Sequence, residues 1–201
     1  VVRLVGSEMC IRDRNLSMRK FSRESFNITQ AINELMHESG VIVIENAYNL
    51  NDIKEAREIV NHFADTQEQK ETHFNAEAEA SDKIKLQQRI WNLFGKGEVF
   101  SKLITNDIIF SLMSKLLGSE FFCGSYCASR LLPGSIGQEL HIDYPYWDFY
   151  KSETFPMGLN SSFAQNCQAT IPLDICSEQS GATAYIPCLL YTSDAADDIP
   201  R

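Results

Sequence analysis

Apolar residues recur at helical spacing between Asn27 and Glu38, at Ile28, Ile32, Leu35 and Met36, which predicts an amphipathic helix. Gly40 stands where a helix end favours glycine. The run Val41-Ile42-Val43-Ile44 reads as a short buried strand. Asn51 or Asp52 is placed to cap a second helix, with Ile53, Ala56, Ile59, Val60 and Phe63 on its inner face. Residues 65–83 are polar, acidic and Ala-rich and predict an excursion away from the core. Gln87–Leu93 reads as a strand or an extended approach to the core. Asn106 to Leu117 has helical spacing and stops at Gly118. Phe121–Leu132 is β-rich, Pro133–Gly137 has the chemistry of a turn, and Gln138–Asp143 reads as the next strand. Phe163–Leu173 and Ala182–Pro187 predict two more, separated by Ser177–Gly181.

Helices therefore come first and strands follow in succession, with no β-α-β alternation. That order predicts an α+β protein whose N-terminal helices flank an antiparallel sheet or a double-sheet jelly roll. There is no internal repeat and no low-complexity linker. The jelly roll is expected to be incomplete at its C-terminal end, because the pattern runs out soon after Ile186.

The two ends of the chain change what counts as fold. Glu8–Asp13 back-translates to GAG ATG TGT ATA AGA GAC, and the reverse complement of that string, read in another frame, encodes Leu189-Leu190-Tyr191-Thr192-Ser193. Both tails resemble translated transposon-adapter sequence. Residues 1–14 and 188–201 are therefore expected to be an artefact, leaving 15–187 as one partial domain. Without the tails the formal charge of −9 becomes about −8. A moderately acidic chain argues against nucleic acid or an anionic membrane as partner. No apolar run approaches a membrane span, and a cytoplasmic location is expected. Outside the tails, Cys123, Cys127, Cys167 and Cys176 show neither metal-ligand nor disulfide spacing. Cys123 and Cys127 read as core packing on one strand face. The glycosylation-type triplets at Asn27 and Asn160 read as chance.

The chemistry concentrates at His141-Ile142-Asp143. On a strand, residues two apart share a face, so an imidazole nitrogen and a carboxylate oxygen stand side by side. These are two of the three ligands in the 2-His-1-carboxylate face that holds non-haem Fe(II). The other histidines, His37, His62 and His73, all lie upstream in segments that read helical. A loop hydrogen bond between His141 and Asp143, with no metal, is the competing reading of the triplet alone.

Arg130-Leu131-Leu132-Pro133-Gly134-Ser135, followed by Gln138-Glu139-Leu140-His141-Ile142-Asp143-Tyr144-Pro145, resembles the metal-binding segment of phytanoyl-CoA dioxygenase-type enzymes. Glu38–Glu45 is similar to that family's opening helix–strand unit. Leu173-Asp174, Glu178–Thr183 and Ile186-Pro187 resemble the segment leading to its distal histidine. The resemblance covers most of 28–187. It implies a double-stranded β-helix, cupin-like, that binds Fe(II) and 2-oxoglutarate and uses O2 to hydroxylate a small organic substrate, releasing CO2 and succinate. His141 and Asp143 are then metal ligands, and a carboxylate at 143 favours hydroxylation over halogenation. The family continues from Ile-Pro into Gly-Ser-His, with an Arg beyond it for the keto acid. Here Ile186-Pro187 is followed by Cys188-Leu189-Leu190, so neither the distal His nor that Arg is assigned, and the chain as written is expected to bind iron poorly.

Tyr144 and Tyr146 open an aromatic stretch running to Tyr150 and are candidates to wall a substrate pocket. Gln138, Lys96 and Asn92 are candidates to touch the co-substrate. Gln138 would project from the opposite strand face to His141 if the strand were regular. Arg89 and Trp91 lie on the same approach as Asn92, where a core or surface role competes, and for Lys96 the competing role is a solvated helix start. Two other function classes fit parts of the pattern: a non-catalytic jelly-roll binding module, and a cupin-type metalloenzyme that uses no keto acid. Substrate identity and oligomeric state are not encoded in any recognisable motif.

Overall fold

The structure is a computed structural model and describes residues 18–68, 86–138, 164 and 166–185. The chain enters through strand β1 (Arg19–Ser22), crosses by helix α1 (Ile28–His37) and returns as strand β2 (Ile42–Glu45). The strands pair in parallel, with Arg19 opposite Ile42 and Ser22 opposite Glu45. The expectation of no β-α-β unit is thus overturned at its first element. The cause is visible in the strand itself: in Arg-Lys-Phe-Ser only Phe21 is buried, so no apolar alternation announces it.

Local chemistry sets the element ends. The Asn27 side chain accepts from Gln30 N–H at 3.0 Å and starts α1. The chain turns away after Glu38, the C-cap, and Gly40 at φ 76° brings its N–H to the Glu34 carbonyl at 3.1 Å. Helix α2 (Leu50–Thr66) begins earlier than expected, because Asn49, rather than Asn51 or Asp52, is the cap and takes the Asn51 N–H at 2.8 Å. It also runs further, so Asp65 and Thr66 belong to its last turn; the Thr66 hydroxyl closes on the His62 carbonyl at 2.8 Å. The rest of the expected excursion, from 69 on, lies outside the described residues.

Strand β3 (Gln87–Ile90) leads through a 3-10 turn (Leu93–Gly95) into helix α3 (Glu98–Ile104). Helix α3 is too short to display a periodicity, yet it buries Val99, Phe100 and Leu103. Helix α4 (Asp107–Leu117) follows, capped by Asn106 and ended by Gly118 at φ 89°. Strand β4 (Ala128–Leu131) pairs antiparallel with β3, Gln87 opposite Leu131 and Ile90 opposite Ala128.

The β-rich stretch expected from Phe121 contributes only these last four residues to a strand. Phe122 is 80% exposed and Cys123 is exposed, so the expected core role of Cys123 is also overturned. Among the described residues, 166–173 and 182–185 form no strand, against expectation; a short 3-10 turn (Glu178–Ser180) with a reciprocal Ser177–Ser180 cap lies between them. Strand propensity in these segments is not matched by a neighbouring ladder among the described residues.

The architecture is mixed α/β, with two two-stranded sheets and several helices. No closed barrel exists among the described residues, and no helix among them is long and apolar enough to cross a membrane.

One core gathers Ala56, Val60 and Ala64 of α2 with Ile90, Leu93, Val99, Phe100 and Leu103. A second joins Phe21, Ala31 and Leu112, tying β1 and α1 to α4. The Ala47 carbonyl links the two regions, accepting from Arg23 Nη1 at 3.0 Å and from Asn106 Nδ2 at 2.8 Å. Asn106 also takes the N–H groups of Ile108 and Ile109 at 3.1 and 3.2 Å. Asn106→Ala should therefore exceed an ordinary cap loss and lower stability by about 2 kcal/mol, read as a shift in the urea midpoint with unchanged slope.

Candidate metal centre

His141 and Asp143, with Tyr144 and Tyr146, lie outside the described residues. What the structure describes is the frame that leads into them. Its base is the β3–β4 pair, whose two faces differ. Toward α2 point Gln88, Ile90, Ala128 and Arg130. Ile90 is fully buried and Ala128 packs against the same core. Gln88 Nε2 donates to the Ala64 carbonyl at 3.2 Å. Arg130 Nε donates to Gln88 Oε1 at 2.7 Å, Nη1 to Asn61 Oδ1 at 3.2 Å, and Nη2 to the Asp65 carboxylate. One guanidinium thus ties β4 to β3 and to α2 through planar, directional bonds that a lysine would not reproduce.

The alternation of the strands sends Gln87, Arg89, Ser129 and Leu131 to the other face. Arg89 Nη1 donates to Cys127 Sγ at 3.7 Å. Gln87 is buried, and its Oε1 has no hydrogen bond among the described residues.

Beyond β4 the Leu132 N–H extends the ladder to the Leu86 carbonyl at 2.8 Å, and the Ser135 N–H closes the turn on Leu132 at 3.0 Å. Gly134 sits at φ 86°, a conformation that side chains resist. The expected turn at Pro133–Gly137 is therefore present. It delivers the chain to Gln138, three residues before His141. Gln138 itself is not in a strand, and its Nε2 is buried without a hydrogen-bond partner among the described residues.

The remaining candidates occupy other positions. Lys96 stands at the start of α3, one residue before its Gly97 cap, as the helix-start reading expected, and places its ammonium 4.0 Å from the centroid of the Phe63 ring, a cation–π contact against α2. Asn92 adopts the left-handed conformation (φ 55°, ψ 54°) that opens the 3-10 turn. Its Nδ2 fills the space where Gly95 would carry a Cβ, 2.9 Å away. Trp91 is half-exposed. His37 ends α1, and His62 lies on α2 against Phe63 with ring centroids 5.3 Å apart. Among the described residues no three His, Cys, Asp or Glu side chains converge as a metal site.

Titration follows burial and pairing. Burial pushes the Tyr48 and Tyr126 phenols up to about 12, and Tyr126 donates to the Phe100 carbonyl at 3.1 Å. Burial likewise raises the Cys167 thiol, which disfavours its thiolate. All four described cysteines are free thiols.

The family model for phytanoyl-CoA dioxygenase (PhyH) matches residues 36–188, a span that holds β2 through β4, the Gly134 turn and the His141–Asp143 segment. The chain belongs to this family, whose members are oxygenases of the Fe(II)/2-oxoglutarate-dependent superfamily. A comparison with curated proteins finds no match.

Sequence reasoning singled out Gln138 but missed Gln87 and the role of Arg130. The signal was present: in Gln87-Gln88-Arg89-Ile90, the apolar Ile90 marks which face goes inward and therefore where Gln87 and Arg89 point.

The Arg130 hydrogen bond holds the exposed Asp65 carboxyl below the usual carboxylate range, against a smaller opposing effect of desolvation. A lowered folded value gives stability that is complete above the unfolded carboxylate range and is lost as pH falls through the folded value. Asp65→Asn should therefore make stability fall less steeply between neutral pH and pH ~3, measured by urea midpoints across that range; parallel curves would contradict the pairing.

Proposed function

We propose that this chain carries the iron-binding half of an Fe(II)/2-oxoglutarate-dependent dioxygenase that hydroxylates a small organic substrate, with His141 and Asp143 as metal ligands. The observation that carries the reading is the family match running through the His141-Ile142-Asp143 segment. The donor set also fits: a neutral imidazole and a carboxylate suit ferrous iron. Gln138 Nε2, buried and without a hydrogen bond among the described residues, is a donor three residues upstream of His141.

When bound, iron with 2-oxoglutarate and O2 would supply the oxidising chemistry. The protein's share is placement. Arg130 and the Gly134 turn set the angle at which the chain leaves β4 for the ligands. The side of the β3–β4 pair away from α2 supplies Arg89, whose guanidinium suits a carboxylate of the co-substrate. Tyr144 and Tyr146 follow the ligands directly and would wall the substrate space and exclude water. The substrate is a small molecule rather than nucleic acid or a membrane surface, in keeping with the acidic chain.

The reading predicts Fe(II)-dependent conversion of 2-oxoglutarate to succinate by a protein that contains residues 15–187 of this chain. His141→Ala and Asp143→Ala should each reduce it by roughly 100-fold or more. Turnover that survives both substitutions would remove the site assignment.

A further inference from the structure

We draw no further inference here: the strongest candidate, the cavity of about 390 Å³ between the β2–α2 turn and the α3–α4 corner, lined among others by Arg23, Tyr48, Asn49, Lys102 and Asn106, rests on the N-termini of α2 and α4 beside an Arg23 already bonded to Ala47 and Asp107, and no second observation points to a ligand there.

Discussion

The fold depends on how closely α2 can lie against the β3–β4 pair. Ala56, Val60 and Ala64 recur every four residues and are all buried, so the helix presents a seam of small side chains on which Ile90, Phe100 and Leu103 settle. Dispersion and burial hold this contact, but they do not fix its angle. Arg130 does that. Its guanidinium side chain, 22% exposed, is fully engaged by Gln88, Asn61 and Asp65. Because one end of the network reaches solvent, the charge avoids most of the cost of full burial. The apolar seam supplies stability, and the arginine supplies orientation.

That orientation matters because β4 is the last described strand before the His141–Asp143 segment proposed to hold the metal. The N-terminal β-α-β unit contributes less directly. It is joined to the helical core by the Ala47 carbonyl, where Arg23 and Asn106 meet, and by the Arg23–Asp107 ion pair at 2.8 Å. With both partners substantially exposed, that pair adds little stability of its own. The same arginine also bonds Ala47, so its main effect is to hold β1 in register with the start of α4.

Helices α1, α2 and α4 were legible in the sequence because each is long enough to repeat its apolar stripe, and each carries an Asn or Gly at an end. Helix α3 was not, since seven residues give too few positions for a period, and its Phe100 reads the same in a helix or a strand. β1 was hidden by its charged residues. The opposite error came at Phe121–Cys127 and at 166–173, where β-forming residues are plentiful but no ladder forms among the described residues; propensity names a preference, while pairing needs a neighbour. The donor chemistry of His141-Ile142-Asp143 is plain in the sequence, but its placement lies outside the described residues. The two-faced character of β3 was not legible, because that depends on which side α2 chooses.

Gly181 has a bearing on how the proposed iron site would be put together. It stands at φ 79°, and a Cβ there would lie 2.9 Å from Leu131 Cδ1. The strand that leads to the proposed proximal ligands and the segment that resembles the approach to the distal one are therefore in contact through a glycine. Under the proposed reading, a side chain at 181 would touch neither His141 nor Asp143 and still push these two segments apart. In a survey of inactive variants it would pass for a metal-binding lesion, although its origin would be a steric collision between the added Cβ and Leu131.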